Sequence, residues 1–296
     1  TCALPICLEQ EGEQHPLLKM LLAKIPGKKF FPDSYEGLAA ETSEKDILQA
    51  RATYYGLMTE IDHHLGRVIS YLKKSGQYES TLIVFTSDHG EQLGDHYLFG
   101  KAGYFDASYA IPLIIHNPEI TDSTSGKSSA AGNQVEVFTE AIDVMPTILD
   151  WLDLEIPQEL DGRSLLPLLK GNVPDNWRKE AHWEFDFREI GTYQPMIEQQ
   201  FGLSPDQCSL TVIRDERYKY VHMTALPPLL FDLQEDPEEF INRAEDPDYR
   251  HLVLEYSQKM LSWSMLHRDR TLVNINLESG KLIHWKGQRI LTKPEA

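Results

Sequence analysis

Residues 81–90, with the sequence TLIVFTSDHG, decide the fold that we expect for this chain. Residues 81–86 form an uninterrupted apolar and β-branched run, which is typical of a central strand covered on both faces of its sheet. The polar residues Asp88 and His89 follow that run closely. In open α/β sheets, substrates bind outside the carboxyl ends of the strands, so this strand end is where an active site is expected.

The segments on either side of the strand predict alternating layers of helix and sheet. Ser43 followed by Asp46 predicts a helix start, and apolar residues recur at helical spacing along residues 47–72. Residues 111–116 predict a second buried strand, and residues 140–152 predict another helix. We therefore expect an α/β fold with a mixed central sheet flanked by helices.

The C-terminal part of the chain predicts a smaller α+β subdomain, in which short strands pack against one late helix. Its predicted elements are strands at 210–214, 218–222 and 229–232 and a helix from 249 to about 267. We accordingly divide the chain into residues 1–170, part of a catalytic α/β domain, and residues 171–296, the subdomain and a C-terminal tail. Residues 1–41 are expected to be irregular apart from a brief helix, and residues 121–134 to form a mobile surface loop.

Composition limits the partners that this chain is expected to have. The 296 residues are 41% hydrophobic and carry a formal net charge of −18. No apolar run approaches the roughly 20 residues that a membrane span needs, and the acidic field repels nucleic acid. We expect a soluble, cytoplasmic protein with no membrane or nucleic-acid partner. To handle an anionic substrate, such a chain needs a metal ion or a few well-placed cations.

The cysteines do not predict a disulfide framework. Cys2, Cys7 and Cys208 form an odd and sparse set, which fits a reducing compartment.

Residues 86–101, TSDHGEQLGDHYLFGK, are dense in side chains that bind metals. A carboxylate oxygen and an imidazole nitrogen side by side, at Asp88 and His89, suit a divalent cation such as Mn, Mg, Ca or Zn. The ammonium of Lys101 would hold an anionic oxygen while the cation polarises the centre under attack. The alternatives are an ordinary hydrogen-bonded polar loop and a solvated surface lysine.

Other ionisable residues nearby have competing interpretations. Asp95 and His96 are either further ligands or supports of the loop. Asp62, His63 and His64 follow one another within a predicted helix, where adjacent side chains point about 100° apart, so we interpret them as structural.

These segments resemble the C-terminal half of the sulfatase and phosphonate monoester hydrolase group of the alkaline phosphatase superfamily. The resemblance rests on residues 86–101, on YYGLMTEIDHHLGRVISYLKKSG before them and on YFDASYAIPLIIHNP after them. It extends to DGRSL at 161–165 and to LFDL and DPE within 230–238, and covers roughly residues 43–250.

The resemblance implies an incomplete alkaline phosphatase-like fold. In it, Asp88 and His89 would be ligands of the catalytic divalent metal, and Lys101 would contact the transferred sulfate or phosphate group or the leaving oxygen. His rather than Asn after the aspartate resembles the phosphonate monoester hydrolases and choline sulfatases more than the arylsulfatases. This favours phosphonate or phosphate esters as substrates and manganese as the metal, with Ca, Mg and Zn as alternatives.

The chain departs from the family pattern at the nucleophile. That residue is expected in a C-x-P-x-R or C-x-A-x-R motif, which neither Cys2 nor Cys7 fits, and the leaving-group histidine is not identifiable among His15 and His63. We therefore expect the C-terminal portion of an enzyme, inactive alone. A sheet that lacks strands exposes an edge and apolar surface, so the chain should associate with its N-terminal half or with another copy.

Three functions remain open from the sequence. The first is metal-dependent hydrolysis of small anionic sulfate or phosphonate/phosphate monoesters or diesters, with the nucleophile supplied from elsewhere. The second is a non-catalytic interaction protein that retains the fold and uses its acidic surface. The third is a self-sufficient hydrolase in which Asp95 and His96 complete a site for metal-bound water, so that His96→Ala would abolish activity.

Overall fold

The computed structural model describes residues 8–27, 30, 36–101, 103–120, 132–157, 159–188, 196–267, 275–278 and 281–284. The helices in these ranges are α1 (Leu8–Gln14), α2 (Pro16–Lys24), α3 (Glu44–Lys74), α4 (Asp106–Tyr109), α5 (Val144–Trp151), α6 (Leu166–Leu169), α7 (Met196–Phe201) and α8 (Arg250–Leu266). The strands are β1 (Ile83–Thr86), β2 (Leu113–His116), β3 (Glu180–Asp186), β4 (Ser209–Asp215), β5 (Tyr218–Met223), β6 (Leu229–Asp232), β7 (Ile275–Glu278) and β8 (Lys281–His284). The α/β class predicted from the sequence is confirmed. Cys2, Cys7 and most of the predicted 121–134 loop lie outside the described residues. Cys208 is buried, and its thiol donates to the Ser204 carbonyl at 3.5 Å.

The long helix α3 begins and ends where the sequence predicts. The Ser43 hydroxyl accepts the Asp46 N–H at 3.2 Å, which satisfies one of the free donors of the first turn. Gly76, with φ of 72°, follows the last turn in the left-handed conformation that favours glycine. Only Ile47 of this helix is buried. No helix in the described ranges, α3 included, has the length and apolarity needed to cross a membrane.

The predicted central sheet is represented by β1 and β2. They pair antiparallel, from Ile83 opposite His116 to Thr86 opposite Leu113. The expectation that β1 is covered on both faces is wrong for this chain, since none of its residues is fully buried. The described residues add no third strand to this sheet, so its surfaces and edges stay partly open.

A four-stranded antiparallel sheet in the order β3-β4-β5-β6 forms the C-terminal part. The apolar runs and helical periodicity predicted β4, β5, β6 and α8 to within about two residues at each end, which is the usual uncertainty of element boundaries. The helix α8 covers one face of the sheet, where Tyr256 and Met260 pack with Ile213, Tyr220 and Leu230.

The other face of this sheet packs against the N-terminal segment, which corrects one prediction. The brief helix expected at Leu17–Leu22 is present as α2, whereas α1 was not expected. Leu17 and Leu18 are completely buried in the largest core cluster. His15 caps α2, because its Nδ1 accepts the Leu17 N–H at 3.1 Å while its Nε2 donates to the Pro227 carbonyl at 2.8 Å. Side chains from both sides of residue 170 share this core, and the division into two domains stays a prediction.

Candidate active site

The loop after β1 is held close to α4 by its backbone. The Gly90 N–H donates to the Ser108 carbonyl at 2.8 Å, and a Cβ at Gly90 would overlap the Ala107 carbonyl oxygen. The buried Gln92 side chain donates to the Ser108 hydroxyl, also at 2.8 Å. Only glycine allows this close approach, so the sequence S-D-H-G sets the path of the chain directly after the two candidate ligands.

Asp88 and His89 lie side by side with their polar atoms accessible. His89 Nδ1 lies 2.7 Å from the Gly90 carbonyl oxygen, so Nδ1 carries the proton and donates it. The lone pair is therefore on Nε2, which lies 3.7 Å from Asp88 Oδ2. A cation about 2.0–2.2 Å from each atom fits between them, and a ring N–H bound to a backbone carbonyl is the usual support of a metal-binding histidine.

The pair needs further ligands. Within the part of the chain that the structure describes, no group of three or more His, Cys, Asp or Glu side chains is placed to hold a metal ion. Since protein metal sites use three or four protein ligands, Asp88 and His89 make up only part of a site.

Asp95 supports the loop. Its Oδ1 accepts a hydrogen bond from Arg51 Nη2 at 2.8 Å, and Arg51 Nε donates to the Leu93 carbonyl at the same distance. Arg51 belongs to α3, so these bonds attach the loop to that helix.

His96 is also engaged away from the candidate ligands. Its Nδ1 lies 3.2 Å from Glu11 Oε1, in a contact that is buried on both sides, and its ring stacks on Phe105 with centroids 3.6 Å apart. Asp95 is bound to Arg51 and His96 to Glu11, and in the described residues neither forms a metal-holding group with Asp88 and His89, so the structure does not support the hypothesis that they complete a site for metal-bound water.

Lys101 returns to the neighbourhood of the candidate ligands through a compact loop. The Gly100 N–H donates to Glu91 Oε1 at 2.6 Å, and the Gln92 N–H donates to the Gly100 carbonyl at 3.0 Å. These two bonds bring the backbone before Lys101 next to the residues that follow His89. The Lys101 side chain is exposed.

The histidines considered for the leaving group have other surroundings. His15 is the buried cap of α2, where burial lowers its pKa. His63 lies on the exposed surface of α3, with its ring 5.8 Å from that of His64. No leaving-group histidine is therefore assigned in the described residues.

Sequence reasoning missed a buried charge network behind the loop. Lys219 of β5 is completely buried, and its Nζ contacts the Glu239 carboxylate and lies 3.1 Å from both Asp106 Oδ1 and the Tyr104 carbonyl. Burial lowers the pKa of Lys219 to about 8, while Asp106 opposes that shift. Glu239 also accepts the Asp106 N–H at 2.9 Å. The sequence did carry one sign of this network, a lysine within the otherwise apolar strand pattern of residues 218–223.

A second network surrounds the DGRSL segment. Asp143 is completely buried and is bound by both terminal nitrogens of Arg178. Its Oδ1 also accepts the Arg163 N–H at 2.8 Å. Asp143 therefore holds together the DGRSL segment, the start of α5 and the residues before β3. We assign this network a structural role.

The α/β scaffold thus presents an aspartate–histidine pair directly after a strand end, and an exposed lysine further along the same loop. The model of the sulfatase family matches residues 25–154, and the model described as N-sulphoglucosamine sulphohydrolase, C-terminal, matches residues 94–265. The chain belongs to the sulfatase family.

Individual relatives agree with this assignment. The chain is 53% identical over 266 residues to the multifunctional alkaline phosphatase superfamily protein PehA of Trinickia caryophylli, covering 90% of this chain and 50% of that protein. It is 30% identical over 222 residues to an arylsulfatase of Clostridium perfringens, covering 74% of this chain and 40% of that protein.

Solved structures show the same relationship. The phosphonate monoester hydrolase of Agrobacterium radiobacter has a TM-score of 0.84 and 44% identity, with 94% of this chain and 53% of that chain covered. Phosphonate monoester hydrolase SpPMH of Silicibacter pomeroyi has a TM-score of 0.80 and 37% identity, with 95% and 53% covered. The resemblance stated from the sequence is confirmed, and the chain spans about half the length of these relatives.

Proposed function

We propose that this chain supplies part of the active site of a metal-dependent hydrolase of sulfate or phosphonate/phosphate monoesters or diesters. The observation that carries the proposal is the hydrogen bond from His89 Nδ1 to the Gly90 carbonyl, which leaves Nε2 available beside Asp88 Oδ2. The family models and relatives support ester hydrolysis as the reaction class. The substrate is a small anionic ester.

Each of the three residues has a defined role in this proposal. Asp88 and His89 hold the divalent cation, and Lys101 binds an anionic oxygen of the substrate. When bound, the cation supplies Lewis acidity at the sulfur or phosphorus centre. We propose manganese, because a mixed carboxylate and imidazole pair suits a transition metal better than Ca or Mg; Zn is the nearest alternative.

The attacking group is proposed to come from outside this chain. No C-x-P-x-R or C-x-A-x-R motif occurs in its sequence. A covalent mechanism needs an activated nucleophile, which the cation and Lys101 do not replace. We therefore propose that Asp88, His89 and Lys101 act together with the part of the enzyme that the relatives have and this chain does not span.

The test is a reconstituted hydrolase. This chain is co-expressed with the portion of the Trinickia caryophylli relative that precedes its matched region, and kcat/KM is measured on an aryl phosphonate monoester and an aryl sulfate. Asp88→Asn and Lys101→Met should each lower kcat/KM by about 10²–10³-fold. Lys259→Met, which changes a partly exposed lysine on α8 paired with Glu255, is the matched control and should stay within about twofold.

Two results would contradict parts of this proposal. Unchanged activity in Asp88→Asn would remove Asp88 from the site. Hydrolysis by this chain without the second polypeptide would show that the nucleophile lies within it.

The second candidate is a non-catalytic interaction protein that retains the fold. The observation in its favour is the apolar surface exposed on α3 and α5. This candidate predicts that the purified chain, alone or with the second polypeptide, holds no metal at Asp88 and His89. Elemental analysis would then find the same metal content in wild type and in Asp88→Asn.

A further inference from the structure

Lys101 lies between two glycines in the left-handed backbone conformation. Gly100 has a φ of 75° and Gly103 a φ of 96°, values that residues with a Cβ rarely adopt. Lys101 itself belongs to no helix or strand. Because glycine leaves the backbone freer than any other residue does, the position of this lysine depends on the contacts that its two neighbouring glycines make.

Glu91 holds the backbone before Lys101. Its Oε1 accepts the Gly100 N–H at 2.6 Å and the Leu93 N–H at 3.2 Å. The Gln92 N–H in turn donates to the Gly100 carbonyl at 3.0 Å. Both polar groups of the Gly100 backbone are therefore bonded to residues 91 and 92, and the bond to the ionised carboxylate is of the stronger, charge-assisted kind.

Tyr109 holds the backbone after Lys101. Its hydroxyl donates to the Gly103 carbonyl at 3.1 Å, and its ring stacks on Trp183 of β3 with centroids 5.1 Å apart. Tyr109 is the last residue of α4, the same helix that accepts the backbone N–H of Gly90. One short helix therefore contacts both the chain after the candidate ligands and the chain after Lys101.

We propose that Glu91 and Tyr109 are positioning residues for Lys101. They fix the distance between its ammonium and the cation site at Asp88 and His89, so that one substrate reaches both. Glu91 follows His89 by two residues and binds the residue before Lys101, so its side chain connects the two parts of the site. This inference rests on the proposed function, in which Lys101 contacts the substrate and Glu91 acts only through Lys101.

A carboxylate this close in sequence to the candidate ligands has a competing interpretation, as a further metal ligand. The geometry is against it, because two backbone N–H groups occupy Oε1 and Glu91 forms no metal-holding group with Asp88 and His89 in the described ranges. Glu91→Gln separates the two roles. The glutamine amide keeps an oxygen that accepts N–H groups but has no charge to offer a cation.

The experiment is a double-mutant cycle in the reconstituted hydrolase, with kcat/KM measured on the aryl phosphonate monoester and the aryl sulfate. Glu91→Ala should lower kcat/KM at least about tenfold, because a misplacement of about 1 Å costs up to about 10²-fold in rate. In a Lys101→Met background the same change should have less than about a twofold effect, because nothing is left to position. Glu91→Gln should keep kcat/KM and the Mn²⁺ affinity within about threefold of wild type.

A second measurement needs no activity. Amide hydrogen exchange in the isolated chain reports the Gly100 N–H directly, and Glu91→Ala should speed its exchange at least about tenfold, because the bond that protects it is lost. Tyr109→Phe tests the other contact even if Glu91→Ala does not fold. It keeps the ring that stacks on Trp183, removes only the hydroxyl, and should lower kcat/KM about threefold.

Asn242→Ala is the matched control. The Asn242 Oδ1 also accepts two backbone N–H groups, from Leu230 at 3.0 Å and from Ala244 at 2.9 Å, but it does so beside β6. Its replacement should leave kcat/KM within about twofold of wild type. Thermal melting of both alanine variants separates lost positioning from lost stability.

Several outcomes would overturn the proposal. These are equal kcat/KM in Glu91→Gln and Glu91→Ala, independent effects of Glu91→Ala and Lys101→Met, a loss of Mn²⁺ affinity of about tenfold in Glu91→Gln, or unchanged exchange at Gly100 in Glu91→Ala. Faster exchange at Gly100, together with a wild-type complex that hydrolyses neither ester, would support the contact made by Glu91 and reject the proposed function.

Discussion

A few polar residues link the C-terminal sheet to the candidate site. Lys219 carries its charge in the interior, where an isolated ammonium is unfavourable, and it is stabilised there by Asp106 and Glu239. Asp106 begins α4, and the carbonyl of Ser108 in α4 accepts the Gly90 N–H. The C-terminal sheet therefore acts on the position of His89 through a short series of buried polar contacts.

His182 gives a residue-level prediction about acid stability. Burial lowers the pKa of His182 to about 4, and His267 and Arg178 shift it in the same direction. Glu140 and Glu180, each 3.9 Å from a ring nitrogen, would raise it but do not outweigh burial. Between about pH 4 and pH 6.5, the unfolded chain therefore binds more protons at this residue than the folded chain. The contribution of His182 to stability rises with pH through this window and is constant above it.

Replacing His182 should therefore flatten the pH dependence of stability. His182→Phe removes the titrating group and keeps a ring to stack on Trp263, which lies 4.5 Å away between centroids. From pH 7 to pH 5, wild type should lose about 2 kcal/mol more unfolding free energy than the variant. Urea denaturation at the two pH values measures this difference.

A second histidine provides the control for this measurement. His251→Phe changes an exposed histidine of α8 and should leave the wild-type pH dependence unaltered. Equal losses in wild type and His182→Phe would show that His182 is not buried in its neutral form.

At the scale of elements, the loop from β1 to α4 depends on one close approach. Gly90→Ala would place a Cβ onto the Ala107 carbonyl oxygen, so the loop or α4 has to move. We expect a loss of about 3 kcal/mol in unfolding free energy, the upper part of the range for overpacking. Gly66→Ala, on α3 with open space around the added Cβ, should instead be neutral or gain up to about 1 kcal/mol. Equal stability of the two variants in urea denaturation would contradict the close packing of the loop.

The elements that the sequence predicted correctly are those with a local signal. The cap at Ser43, the helical spacing along α3 and the apolar runs of β1 and β6 are all properties of neighbouring residues. β3 was missed because EAHWEFD mixes charged and aromatic residues without an apolar run. The burial of α2 was missed because it depends on contacts with strands about 200 residues away, including Phe231.

The candidate site shows the same division. Asp88, His89 and Lys101 were predicted from residue types that follow a strand and from a family motif, and their catalytic roles stay predictions. The Arg51–Asp95 and Glu11–His96 pairs join residues that are far apart in the sequence, so their spacing carried no signal. The ambiguity over Asp95 and His96 could be resolved only by the folded arrangement.

At the scale of the whole molecule, the distribution of surface is uneven. The C-terminal sheet has a covered core with Tyr220, Phe231 and Tyr256 buried. By contrast, no residue of β1 is fully buried, most of α3 is exposed, and β2 packs only on the side that faces the cluster of Leu165, Leu168 and Trp177. A net charge of −18 opposes self-association by repulsion but does not replace the missing contacts. Stability and metal affinity should therefore both increase when the exposed apolar side of α3 is covered.

Metal affinity provides the whole-molecule prediction. With only Asp88 and His89 as ligands, the isolated chain should bind Mn²⁺ weakly. The complex with the second polypeptide should bind Mn²⁺ at least about tenfold more tightly, because metal affinity follows the number and charge of the ligands. The loss of the free Mn²⁺ signal in electron paramagnetic resonance measures both affinities.

Asp88→Asn should weaken Mn²⁺ binding by the isolated chain and by the complex. Asp95→Asn, which changes a carboxylate bound to Arg51, should leave both affinities nearly unchanged. Tight binding by the isolated chain that survives Asp88→Asn would place the metal elsewhere, because a site built on the β1 strand end cannot retain its affinity after losing its carboxylate.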